Sequence, residues 1–147
     1  MTDILDYVQP VGYNSLFVCG FAFDDAENEG TKKYAAFMKV TSNGRVEQFY
    51  RWGQGLDNQP DNCRSIAFDY NKREIILLLE VTSENLRPDY SSYSTYSSLN
   101  SDTLLVRLQD NGEIIKGYNI NFDTASVSMK LGESSMFVLN NHYVFAG

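Results

Sequence analysis

The chain has 147 residues, a net charge of −7 and 14% aromatic residues, and its basic residues stand singly rather than in clusters. That length suits one domain with a real core, while the scattered cations leave no electrostatic footprint for nucleic acid or an anionic membrane. No apolar run approaches the length needed to span a bilayer as a helix, so the composition reads as that of a soluble chain.

Taken in order, Met1 to Gly12 carries Asp3, Asp6 and Pro10 and lacks a basic start followed by an apolar stretch. It is therefore not a signal peptide, and the chain leans towards the cytoplasm. Leu16 to Phe23 is a nearly continuous apolar strand of the kind buried on both faces. The acidic stretch Asp24 to Gly30 does not match the alternating oxygen ligands of a calcium loop and reads as a solvated connection. A helix over Asp24 to Val40 would put Tyr34, Phe37 and Met38 on one face, but Gly30-Thr31 breaks it, so a strand is expected from Tyr34 to Val40.

Asn43-Gly44 then marks a hairpin, because both residues tolerate the positive φ that a tight turn matching the strand twist requires. Arg45 to Trp52 alternates as a strand with one solvated face. The turn formers from Gly53 to Asn62 lead into a strand over Arg64 to Asp69, and Asp69 to Arg73 makes the next turn. Glu74 to Val81 is the most apolar run in the chain and should be a central strand. Cys19 and Cys63, the only cysteines, read as two buried thiols rather than a disulfide framework.

Thr82 to Asp102 is the longest interruption. Its Tyr/Ser stretch, with Tyr90, Tyr93 and Tyr96, has little to bury, so it is a surface insertion or a disordered loop. A sharper reading is a binding loop, since tyrosines give large amphipathic contacts and serines adaptable hydrogen bonds. Strands resume over Thr103 to Leu108 and Glu113 to Phe122 around Asn111-Gly112. Thr124 to Leu131 reads as the counterpart of Arg64 to Asp69, and Met136 to Leu139 and His142 to Gly147 complete the chain.

Two internal echoes organise this order. Phe37 to Val46 returns as Leu105 to Ile114, and Asn14 to Gly20 returns in shape as Asn141 to Gly147. Two units of about 45 to 50 common residues plus insertions therefore fit between equivalent points, close to the length of a propeller blade. The residues Lys39 to Gly44, Trp52-Gly53-Gln54-Gly55, Asp61, Ser65 to Asp69 and Arg107 to Gly112 together resemble the SBBP-type repeat of seven-bladed β-propellers. The second unit departs from it at Glu80 or Val81, where the others have Gly20 and Gly147. It also carries the Tyr/Ser insertion, and Phe122-Asp123 replaces the Trp-Gly turn.

The resemblance implies an all-β chain of antiparallel propeller-like blades, about two to two and a half four-stranded units. On this reading residues 1–147 form a single all-β repeat region, with units near 1–60, 61–123 and a partial 124–147. Such units cannot close a propeller alone. They fit a fragment of a larger ring, a ring completed by several copies, or, as the alternative, a single β-sandwich or barrel.

The resemblance supplies no catalytic residues, and none is expected from the sequence. His142 has no spaced partner, neither cysteine has zinc-like spacing, and Gly53-Gln54-Gly55 lacks the third glycine of a phosphate loop, so no metal and no cofactor are expected. Asp57, Asp61 and Asp69 are the candidates for a carboxylate-dependent hydrolase, though each has a turn-forming reason to exist. The leading expectation is a non-catalytic scaffold binding another protein, or further repeats of the same assembly as a homo-oligomer, through Tyr90, Tyr93, Tyr96 and Trp52. The alternative is a carbohydrate-recognition module in which Trp52, Tyr50 and Tyr118 stack on sugar faces.

Overall fold

Short strands follow one another along this chain, because apolar or alternating runs of four to nine residues are separated by turn formers. In the computed structural model, which describes residues 2–23, 33–53, 61–82, 101–120 and 136–145, these become ten strands and no helix. They are β1 (Thr2–Val8), β2 (Ser15–Phe23), β3 (Lys33–Thr41), β4 (Val46–Trp52), β5 (Asn62–Asp69), β6 (Glu74–Thr82), β7 (Ser101–Gln109), β8 (Ile114–Ile120), β9 (Met136–Leu139) and β10 (His142–Phe145). The all-β expectation holds. β1, which the polar N-terminal sequence does not advertise, is an addition, and residues 124–131 lie outside the described set.

The strands form two four-stranded antiparallel sheets, β1-β2-β3-β4 and β5-β6-β7-β8, and a β9-β10 hairpin. Neither sheet closes into a barrel. Their registers match position for position. In β1 the ladder shifts between Ile4, opposite Gly20, and Asp6, opposite Cys19; in β5 it shifts between Cys63, opposite Leu79, and Ser65, opposite Leu78. A second matched shift falls after Lys39 in β3 and after Arg107 in β7. By register, Leu79 rather than Glu80 or Val81 stands where Gly20 stands. A Cβ at Gly20 would run into the Asp3 carbonyl of the neighbouring strand, whereas Leu79 fills core.

The Asn-Gly hairpins close differently from the tight turn expected. Only the glycines are left-handed, Gly44 at φ +83° and Gly112 at φ +90°. The Gly44 N–H donates to the Thr41 carbonyl at 2.9 Å, and the Thr41 N–H donates to the Arg45 carbonyl at 2.9 Å; Gln109, Gly112 and Glu113 repeat this at 2.8 Å. This is a three-residue loop ending in a glycine bulge; the register shift lies further along the hairpin, where Glu47 in β4 and Ile115 in β8 are the extra residues. Asn43 and Asn111 instead accept the amides of Arg45 and Glu113 through their side chains. The two-residue turn with positive φ at both centres belongs to Asn140 (φ 48°) and Asn141 (φ 63°), between β9 and β10.

One face of the first sheet, with Phe17, Cys19, Phe37 and Trp52, packs on the second sheet through Ile66, Ile75, Leu77 and Val106. The other face of the second sheet, with Ala67, Ile76, Leu78 and Leu105, packs on Met136 of the hairpin. β6 is thus covered on both sides, as its apolar run predicts: Ile75 through Leu79 are all fully buried, each worth roughly 1.5–3 kcal/mol of transfer free energy. The layers stack in one sense. Leu105 stands at the place of Phe37, and it faces the hairpin as Phe37 faces the second sheet.

Two further links tie the layers. The expected thiols are corrected by the structure: Cys19 of β2 and Cys63 of β5 form a disulfide between the sheets, with Cα atoms 5.4 Å apart. Both side chains fall on the inner phase of their strands, a coincidence that spacing along the chain does not reveal. The Asp6 carboxylate accepts the Ser65 hydroxyl at 3.1 Å and the Ile66 N–H at 3.0 Å, and Ser65 Oγ accepts the Met136 N–H at 3.1 Å.

Candidate functional site

Because every neighbouring strand pair is antiparallel, the two ends of the stack differ in kind. One end gathers the short turns that follow β1, β3, β5, β7 and β9. The opposite end is where β2, β4, β6 and β8 finish, so all four longer connections, residues 24–32, 53–61, 83–100 and 121–135, leave from it. Loops carried by a rigid sheet scaffold are the usual place for binding residues.

The short-turn end is cross-braced. The Tyr13 hydroxyl donates to Asp110 Oδ2 at 2.9 Å and accepts from Arg73 Nε at 2.9 Å, while Arg73 pairs with Asp110 at 2.8 Å. The Lys72 ammonium lies 3.1 Å from the Tyr143 hydroxyl and 3.5 Å from Asp69. These bonds join the β1–β2, β5–β6 and β7–β8 turns to one another and to Tyr143 of β10. Its polar groups are largely spent on one another, which suits a structural end.

At the long-connection end, Lys33 begins β3 with its ammonium 4.1 Å from the Phe21 ring centre. Burial, and then the nearby Arg64 guanidinium, hold the Lys33 ammonium below its ordinary pKa, against the opposing pull of Asp61, Glu80 and Asp3. Arg64 pairs with Glu80 at 2.8 Å, and the Arg51 guanidinium lies 4.8 Å from the Tyr34 ring centre. The described rim therefore mixes both signs of charge with aromatic rings.

The residues singled out from the sequence fall as follows. Trp52 ends β4 at this rim, but it is only 4% exposed and lies in the core between the sheets, 5.9 Å from Tyr50. Tyr50 packs at 6.1 Å on Phe37, and the Tyr118 hydroxyl accepts from Arg107 at 3.1 Å. All three are occupied by packing or hydrogen bonds. Tyr90, Tyr93 and Tyr96 lie outside the described residues, between Thr82 at the end of β6 and Ser101 at the start of β7.

Of the carboxylates, Asp57 is outside the described residues. Asp61 precedes β5 and Asp69 ends it, and both are fully buried; at about 3.3 Å per residue they stand about 26 Å apart along the strand, too far to act as a pair. Asp69 Oδ1 accepts the amides of Asn71 and Lys72, so its carboxylate shapes the β5–β6 turn. His142 sits at the short-turn end, with Nδ1 2.8 Å from the Asn140 carbonyl. Among the described residues no group of three potential metal ligands occurs, and no helix is long and apolar enough to cross a membrane.

No protein-family model matches the chain, and no curated protein is significantly similar to it.

Proposed function

We propose that this chain is a non-catalytic interaction module built from propeller-type blades, and that it binds another protein at the end from which the four longer connections leave. The observation that carries the reading is the pair of four-stranded meanders with matched registers and matched bulges, stacked in one sense. Sheets stacked in that way bring the ends of β2, β4, β6 and β8 to one end of the stack. The braced short-turn end and the mixed aromatic and charged rim at the other end add support.

The test uses the whole chain and a variant lacking Ser91 to Ser98. Both should give the same thermal unfolding curve. A protein recovered by the intact chain should be lost with the deletion; equal recovery by both would remove this loop from the binding surface.

A further inference from the structure

Resting on the blade reading, the stack raises the question of its outermost faces. The face of the second sheet that meets the first sheet is covered, yet on the matching face of the first sheet the β1 side chains Ile4 and Tyr7 stand open. Register fixes the matches: Ile4 stands where Cys63 stands in β5, and Tyr7 stands where Ile66 stands in β5 and Met136 in β9. Cys63, Ile66 and Met136 are 0%, 5% and 6% exposed, whereas Ile4 is 56% and Tyr7 65% exposed. Val18 and Met38 match the buried Leu77 and Val106; Val18 is itself buried, Met38 is half-buried, and both line a shallow depression with Ile4, Gly20 and Ala36. Phe49 adds a further exposed ring beside Met38.

The opposite end of the stack exposes a complementary face. Val144 in β10 stands where Phe17 and Ile76 stand, and Phe137 in β9 stands where Val8 and Ala67 stand. In both sheets those places pack on the next layer. In the hairpin, Phe137, Leu139 and Val144 are exposed.

The hydrogen bonds between layers run in the same series. The Met136 N–H donates to Ser65 Oγ in the preceding layer, and the Ile66 N–H donates to Asp6 Oδ2 in the layer before that. The next amide of the series is that of Tyr7, which is exposed and donates to its own neighbour, Asp6 Oδ1.

We infer that the open face of the first sheet, centred on Ile4, Tyr7 and Met38, takes the β9-β10 hairpin face of a second copy of this chain, head to tail. Phe137 and Val144 of the second copy cover that depression. The contact is heterologous, using two different faces of the chain, so it propagates until a ring closes.

The experiment measures the mass of the full-length chain by sedimentation and light scattering over a range of concentrations, with I4E as a head-blocked variant and F137E as a tail-blocked one. Wild type should rise in mass with concentration in multiples of one chain. Each variant alone should stay at the mass of one chain, and an equimolar mixture should double it and go no further, because one free head meets one free tail. Tyr7→Lys and Val144→Lys serve as a second pair if circular dichroism shows either first variant unfolded. Wild type remaining a single chain throughout, F137E assembling like wild type, or a mixture that stays single would each overturn the inference. Partner capture that is sensitive to the Ser91 to Ser98 deletion is a separate readout, so the interaction module can stand while self-association fails.

Discussion

The Asp6 carboxylate accepts the backbone N–H of Ile66 at 3.0 Å, joining the first strands of two sheets that share no hydrogen-bonded ladder. It sits at the β1 bulge, where the ladder to β2 slips and the side chain is turned towards β5. A bulge re-aims a side chain in this way.

Replacing Asp6 by Ala strands the Ile66 amide and removes the acceptor for the Ser65 hydroxyl. A hydrogen bond to a charged group is worth about 1.5–3 kcal/mol, so Asp6→Ala should lower stability by about that much in urea unfolding. Asp6→Asn keeps an acceptor oxygen and should lose less. Equal losses for the two variants would show that the carboxylate acts by something other than accepting these bonds.

The Cys19–Cys63 disulfide closes a loop with a sequence separation of 44 residues. On the chain-entropy account a loop of that size contributes about 4 kcal/mol by restricting the unfolded chain. Cys19→Ala should therefore lower the thermal midpoint clearly, and reductant should lower that of wild type but not of the variant. The bond itself is checked by alkylation under non-reducing denaturing conditions, where intact mass should show no modified cysteine in protein prepared under oxidising conditions.

Gly44 and Gly112 hold the same place in matched hairpins, yet their surroundings differ. A Cβ at Gly44 meets nothing within 4 Å, whereas one at Gly112 runs into the Gln48 side chain. Gly44→Ala should cost about 1–2 kcal/mol, the strain of a left-handed residue carrying a Cβ. Gly112→Ala should cost more, because Gln48 must also move. Chemical denaturation of the two variants side by side reads the difference.

Lys33 supplies the pH dependence. Burial and Arg64 lower its pKa from 10.5, so the folded chain holds this proton less tightly than the unfolded chain does. Below the folded pKa the full cost of confining the ammonium is present. As pH rises through that value towards 10.5, the folded state sheds the proton first and the cost is relieved. Lys33→Met removes the group, so the stability of wild type relative to the variant should rise with pH from the lowered folded pKa up to about 10.5. Thermal unfolding of both at several pH values tests the sign; a gap that is flat or widens in favour of the variant would contradict it.

The strands with strong local signals were readable from the residues alone. β2 and β6 are apolar over most of their length, and the alternation in β3 and β7 is anchored by Asn-Gly turns, so their existence and order follow from chain-local periodicity. β1 was not readable, because Thr2, Asp3 and Asp6 interrupt its apolar pattern; Asp6 is polar there because its carboxylate binds β5 rather than solvent. Trp52 looked like a sugar-stacking platform since aromatic residues serve surfaces and cores alike, and only the position of the second sheet decides which.

By itself the sequence determined the strand class, the hairpin order and the doubled pattern, all of which rest on neighbours within about ten residues of one another. The tertiary structure alone decided what lies between layers: the Cys19–Cys63 bond, the Asp6–Ser65–Met136 series, the burial of Trp52 and the two apolar faces left open. Those depend on which side of a strand meets which other sheet. Period-two alternation fixes that two sides exist, but not what covers either of them.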